Sequence, residues 1–317
     1  MSQPTRQVVH IGLAKTGTTT LQKHVFPMIA QLAGYAYNPP QLSEQLSKFL
    51  ITYDPEDRHK VAQLAATHPR LFVSNELQAT WLPQHFEKAA EELLLLWGRH
   101  TTILITVRDP LDFQASLYAG SFRAGAHLRP QDFFLSAERY ARVRPPEGHW
   151  LDDFFAVDAF DFRRLVEIYR ARFDRVVVLP LETQFDLRTL ARVFDLDEDR
   201  RRAVATHLAA APRLNSRPAA WEIRALSLYV SLTGKRTSSP GLGTRIRSTA
   251  PRRAPTRLLD ARKWWLRMRA ILYRILPDTP YQLPADTYQN AELTRRNRAF
   301  LAELVAEERA ARAGADD

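Results

Sequence analysis

From residue 7 to about residue 195 the chain keeps changing period. The short apolar runs "RQVVHIGL" (6–13), "PRLFVSNE" (69–76), "TTILITVRDP" (101–110) and "DRVVVLPLE" (174–182) alternate with longer stretches whose apolar residues recur at helical spacing. The runs are nearly continuous in Val, Ile and Leu, the pattern of strands buried on both faces. Such strands are parallel, and a tight turn cannot join parallel neighbours, so the intervening helices act as crossovers. The expected fold class is therefore α/β: a three-layer parallel sheet with helices on both faces. After residue 195 the pattern turns helical, in "SRPAAWEIRALSLYVSLTG" (216–234), "TRLLDARKWWLRMRAILYRIL" (256–276) and "NAELTRRNRAFLAELVAEERAARA" (290–313). The expected organisation is an α/β core over 1–200 and a helical C-terminal subdomain over 201–317 that completes the same domain.

Several function classes fall away on composition. The chain has no cysteine, which removes disulfides, thiol nucleophiles and zinc–thiolate sites. The N-terminus "MSQPTRQVVHIGLAK" lacks the apolar core of a secretory signal. No run reaches the roughly 18 apolar residues of a spanning helix. A cytoplasmic protein is the expectation, with contact to the inner face of a membrane as an addition discussed below. The net charge of +10 invites a nucleic-acid reading, but its distribution argues against one. Residues 235–274 hold twelve Lys or Arg against Asp260 alone, a net of +11, so the rest of the chain sums to −1. No nucleic-acid partner is expected from so local a charge.

Ligands of open parallel sheets sit beyond the carboxyl ends of the strands. Three polar features fall at such ends. The first is "IGLAKTGTTT" (11–20), a glycine-containing turn from a strand into a helix. Backbone N–H groups at a helix start form an anion site, and Thr16, Thr18, Thr19 and Thr20 add hydroxyl donors. Gly12 and Gly17 have the spacing of the nucleotide-binding pattern G-x-x-x-x-G-K-[ST], yet Thr18 stands where that pattern has lysine and Lys15 lies inside the loop. The second is Arg108, at the end of a strand and eight residues before Ser116 on the next helix. Arginine there suits bidentate contact with phosphate, or a local pair with Asp109 or Asp112. The third is Glu76, 61 residues after Lys15 and just past a strand end. It is a candidate proton acceptor or a cap of the following turn; His10, His24 and His85 are rival bases.

With these residues in place, "KTGTTTL" (15–21) resembles the 5′-phosphosulfate loop of sulfotransferases that use 3′-phosphoadenosine 5′-phosphosulfate (PAPS). "VRDPLDFQASLY" (107–118) resembles the 3′-phosphate motif of the same family, and "HIGLAKTGTTTLQ" (10–22) looks most like its bacterial members. The resemblance implies a P-loop-like phosphate loop in which Lys15, Thr16, Gly17, Thr18, Thr19 and Thr20 surround the 5′-phosphate. Arg108 and Ser116 then hold the 3′-phosphate. It implies Glu76 and Lys15 as the catalytic pair: Glu76 takes the acceptor proton and Lys15 stabilises the departing oxygen. PAPS is the donor and adenosine 3′,5′-bisphosphate the product. The acceptor is a hydroxyl on a glycan, lipid-linked sugar or small alcohol, as in carbohydrate sulfation, and no metal is implied.

The chain departs from the family pattern in two places. Thr20 stands where many members have an aromatic residue stacked on adenine. The late Arg-Lys-Gly grip on the 3′-phosphate is missing, with Lys235 and Arg236 or Arg213 and Arg217 as substitutes. The basic segment 235–276 includes a helix-like stretch, 256–276, with Leu258, Trp265, Met268, Leu272 and Ile275 on one face. Three readings fit it: a helix packed on the core, a peripheral membrane contact, or a cationic surface for an acidic acceptor. Two rival functions stand beside the sulfotransferase. One is a P-loop kinase with an altered loop, using Mg²⁺ with Glu76 or Asp109. The other is a non-enzymatic module that binds nucleic acid or membrane through the basic segment. The oligomeric state is not encoded in any feature named here.

Overall fold

A computed structural model describes residues 6–123, 128–143, 154–183, 187–210, 219–233, 272, 275–276 and 279–313. The basic helix expected over 256–276 lies outside the described residues apart from single positions, as do Arg213, Arg217, Lys235 and Arg236.

The frame is one parallel sheet of five strands: β1 (Arg6–Gly12), β2 (Ala36–Tyr37), β3 (Arg70–Ser74), β4 (Thr102–Val107) and β7 (Arg175–Pro180), in the order β2-β3-β1-β4-β7. A separate pair, β5 (Phe134–Leu135) and β6 (Phe155–Ala156), makes a small two-stranded sheet. β1 is central, and its apolar residues alternate between faces. Val8, with Phe72 and Leu104 beside it, packs under α2 (Phe26–Ala33), α10 (Leu187–Phe194) and α11 (Glu198–Ala210). Val9 and Ile11, with Leu71, Val73, Ile103 and Ile105, pack under α3 (Pro40–Thr52), α4 (Pro55–Ala66), α5 (Phe86–Trp97) and α9 (Phe162–Arg170). Both faces are thus covered by helices, and the α/β expectation holds for the sheet and its cover. Burial on both faces explains why these strands read as continuous apolar runs.

In the helix after β1, Pro27 is expected to kink or end the regular part, because proline lacks an N–H and clashes with the preceding turn. The regular α-helix does give way ahead of Pro27: α1 (Thr18–Thr20) widens into a π turn over Leu21–Val25, and α2 follows. Phe26 N–H donates to Leu21 O, five residues back. The wider register places Pro27 in the first turn of α2, where its missing donor costs nothing.

α6 (Pro110–Arg123) follows β4 directly. Asp109 caps it, its carboxylate accepting from Leu111 N–H (3.0 Å) and Asp112 N–H (3.1 Å). The other Asp109 oxygen accepts from Arg298 Nε at 2.7 Å. Arg298 belongs to the last described helix, so a residue 189 positions away helps hold the start of α6. The short α7 (Pro130–Phe133), α8 (Ala137–Val143) and α12 (Ala220–Thr233), and that last helix, α13 (Ala291–Ala313), complete the described helices. No helix among the described residues is long and apolar enough to cross a membrane.

Gly12 is where β1 leaves the sheet. Its φ is +98°, and a Cβ there would stand 3.1 Å from Ala14 N, 3.2 Å from Glu76 Cα and 3.3 Å from Glu76 O. Both the backbone angle and the space require glycine. Gly12→Ala is expected to lower the unfolding free energy by about 1–3 kcal/mol, the usual cost of a residue held in a disfavoured backbone region. A urea titration with an unchanged midpoint would contradict this account of how β1 ends.

Candidate functional site

The strands β3, β1 and β4 are neighbours, so their carboxyl ends deliver three segments to one edge of the sheet: residues 75–80, the loop 13–17 and residues 108–109. Backbone bonds fasten them together. Leu13 N–H donates to Thr106 O (3.0 Å), Asn75 N–H to His10 O (3.1 Å) and Ala79 N–H to Ile11 O (3.1 Å). The pairing of β1 with β4 slips by one residue between His10 and Gly12, which turns the loop out of the sheet at that level.

Within the loop, Lys15 takes a positive φ of 65° and Gly17 one of 80°. Gly17 precedes α1, and its carbonyl accepts from the N–H groups of Thr20 (3.0 Å) and Leu21 (3.3 Å). The Lys15 side chain lies along α6 against Gly120, so close that a Cβ on Gly120 would stand 2.9 Å from Lys15 Nζ. Ser116 is one turn earlier on the same helix, and residues four apart share a helix face. Ser116 is half-buried.

Arg108 reaches back to the loop. One terminal nitrogen donates to Lys15 O at 2.9 Å and the other to Asp112 at 3.3 Å. The local pair with Asp112 anticipated from sequence therefore exists, and it coexists with a loop contact that sequence did not suggest. Glu76 is half-buried and accepts a 2.6 Å hydrogen bond from the Thr18 hydroxyl. The structure thus pairs Thr18 with Glu76 and Arg108 with the Lys15 backbone at the same edge of the sheet. Thr19 and Thr20 are half-buried on α1, next in line along the helix start.

Thr16 does something other than face a ligand. It is fully buried, donates to Leu13 O at 2.5 Å and lies 2.5 Å from the Thr106 hydroxyl. Thr106 is in turn 3.4 Å from His10 Nε2, while His10 Nδ1 is 2.8 Å from the Ser74 hydroxyl. Gln22 Nε2 donates to Ser74 Oγ at 3.1 Å, and Asn38 brackets the Ser74 backbone, accepting from its N–H and donating to its carbonyl. The signal for this network was present in the strands. His10, Ser74 and Thr106 each stand two residues after an apolar residue of one sheet face: Val8, Phe72 and Leu104. His10 and Ser74 are register partners, whereas Thr106 stands two residues beyond Leu104, the β4 partner of His10, so strand order and register are both needed to know that the three come together.

The rival bases separate. His10 is fully buried beneath the loop, edge-on to Phe26 at 4.9 Å, and burial pushes its pKa down to about 3. His24 sits in the π turn and faces His207 of α11, with ring centroids 6.1 Å apart. His85 ends the turn Pro83–His85, which Gln84 ties to Phe154 O at 2.8 Å. Glu182 accepts from Asp109 N–H at 2.7 Å, which gives it a structural role at the start of α6. Among the described residues no three His, Asp or Glu side chains come together as a metal-binding group. The polar groups around the loop are the Lys15 and Arg108 cations, the Glu76 carboxylate that Thr18 engages, and the half-buried Thr19 and Thr20.

Compared with protein-family models, curated proteins and solved structures, the chain matches none of them.

The burial of His10 has a consequence for acid stability. Its folded pKa, about 3, lies below the unfolded value near 6.5, so the unfolded chain takes up the proton first. The contribution is complete above pH 6.5 and is lost as the pH falls toward 3. Between pH 6.5 and 5, above the range where carboxylates titrate, unfolding free energy should fall by up to about 1.4 kcal/mol per pH unit. His10→Phe should flatten that stretch of the curve. Denaturant titrations at four pH values measure it, and an equal slope in both proteins rules His10 out as the source.

Proposed function

We propose that this protein is a PAPS-dependent sulfotransferase whose 13–17 loop is a P-loop-like phosphate site. The observation that carries the reading is a convergence. Three adjacent strand ends bring the loop, a carboxylate and an arginine to one edge of the sheet: Thr18, at the helix start after the loop, bonds Glu76 at 2.6 Å, and Arg108 bonds the loop backbone at Lys15 O at 2.9 Å. The arrangement Lys15–Gly120–Ser116 supports it further. It sets the loop cation and the α6 hydroxyl on one helix face, where one ligand with two phosphates can reach both.

In this reading the acceptor oxygen attacks sulfur in line as the bond from sulfur to the 5′-phosphate oxygen breaks. Glu76 takes the hydroxyl proton. The electron pair of the broken bond stays on the phosphate oxygen, leaving adenosine 3′,5′-bisphosphate. Lys15 and the loop amides stabilise the charge that collects there, an interaction stronger in the transition state than in the ground state. Thr18 has one hydroxyl proton to give. When a phosphosulfate oxygen takes it, Glu76 is released toward the acceptor. Arg108 and Ser116 hold the 3′-phosphate. The acceptor class is a glycan, lipid-linked sugar or small alcohol hydroxyl, and the site of the protein is cytoplasmic. The kinase reading is less well supported, because Lys15 rises from inside the loop and Thr18, where a kinase carries its lysine, is engaged with Glu76.

A nucleotide series tests the donor. Adenosine 3′,5′-bisphosphate should raise the melting temperature by binding only the folded state, and AMP should do much less. Larger stabilisation by ATP with Mg²⁺ favours the kinase instead.

Variant kinetics test the roles. Glu76→Gln should lose roughly 10²- to 10⁴-fold in turnover. Lys15→Ala should fall mainly in turnover, whereas Arg108→Ala should mainly weaken nucleotide binding, by about 1.5–3 kcal/mol. Near-normal turnover in Glu76→Gln together with a large loss in His85→Ala transfers the base role to His85.

A further inference from the structure

The polar layer beneath the loop allows each proton to be assigned by counting. A threonine hydroxyl has one proton to donate. Thr16 spends its proton on Leu13 O at 2.5 Å. In the 2.5 Å contact between Thr16 and Thr106, the donor is therefore Thr106. The 3.5 Å separation of Thr106 from Leu13 O is too long to compete. Thr106 then has no proton left for His10, so a hydrogen bond across the 3.4 Å gap requires the hydrogen to sit on His10 Nε2. A neutral imidazole with hydrogen on Nε2 has a bare Nδ1, which accepts from the Ser74 hydroxyl at 2.8 Å. Ser74 Oγ in turn receives the Gln22 amide at 3.1 Å. Each hydroxyl gives one proton and takes one, and the chain runs one way from Gln22 to the Leu13 carbonyl.

We propose that this one-way relay holds the 13–17 loop in its ligand-receiving shape, with His10 and Thr106 as its positioning residues. The relay spans the three strands that build the site. It starts from Gln22, passes through Ser74, two residues before Glu76, and ends on the Leu13 carbonyl, two residues before Lys15. Turning Leu13 O inward onto Thr16 keeps that acceptor away from an incoming anion. His10, Thr16 and Thr106 are fully buried and Ser74 nearly so, which leaves no solvent to replace a lost partner. Burial keeps His10 neutral, the state in which it gives one hydrogen bond and accepts another. The consequence for binding rests on the anion reading of the loop; the direction of the relay does not.

The test combines NMR with binding. In ¹⁵N–¹H spectra the wild-type His10 ring should show hydrogen on Nε2, and hydrogen on Nδ1 overturns the relay. Thr106→Val keeps shape but removes the hydroxyl; Thr106→Ser restores it. Thr106→Val should move the ring hydrogen toward Nδ1 and speed amide exchange at residues 13–17. It should also weaken adenosine 3′,5′-bisphosphate binding about tenfold, the value of one hydrogen bond, with Thr106→Ser close to wild type. A lower melting temperature with unchanged loop exchange and unchanged affinity makes Thr106 merely structural and overturns the proposal. If wild-type protein binds no bisphosphate, yet the ring hydrogen and the loop exchange behave as described, the sulfotransferase reading falls and the relay stands. Should Thr106→Val fail to fold, the wild-type ring still decides the direction.

Discussion

The close approach of Gly12 to the backbone of Glu76 governs the upper edge of this molecule. β1 lies between β3 and β4, so its end cannot move without disturbing two neighbours. Glycine lets the chain turn at φ +98° with the Glu76 Cα and carbonyl only a Cβ-contact away. Everything above the sheet is referred to that junction. The loop starts from it, the turn carrying Glu76 presses on it, and Arg108 leaves β4 one strand over and returns to the loop at Lys15 O. A bulkier residue at position 12 separates the loop from the carboxylate that Thr18 now reaches.

Beneath the junction the fold tolerates a buried polar layer because every group in it has a partner. His10, Thr106, Thr16 and Ser74 form one connected set, with Gln22 and Asn38 closing its far side. Unpaired, each of these groups would cost about 1–3 kcal/mol of desolvation. Paired, they give the loop a defined seat that an apolar layer, which lacks directionality, does not provide. The π turn belongs to the same arrangement. It carries Gln22 toward Ser74 and absorbs Pro27 without breaking the helix.

α6 links the site to the C-terminal part of the chain. Its capping residue Asp109 is shared between its own first turn and Arg298 of α13, and the hydrogen bond holds the Arg298 pKa above its ordinary value. The helix then presents Ser116 and Gly120 to the loop, with Lys15 lying in the space that Gly120 leaves open. A second-half residue thus steadies the helix next to the loop without entering it.

Much of this was legible in the sequence, because it depends on local pattern. Continuous apolar runs determined the parallel sheet, the Gly12–Gly17 spacing determined a strand-to-helix loop, and Pro110 after Asp109 determined the start of α6. Position relative to strand ends was enough to place Lys15, Glu76 and Arg108 at one edge of the sheet. Other features depend on strand order and register, which no local pattern encodes. Only the tertiary structure decided that Ser74 and Thr106 flank His10, that Thr16 turns inward while Thr18 meets Glu76, and that Arg298 reaches Asp109. His10 shows the difference most plainly: alone in a run of valines it reads as a core histidine. It becomes the centre of a relay only when β3 and β4 bring a hydroxyl to each of its nitrogens.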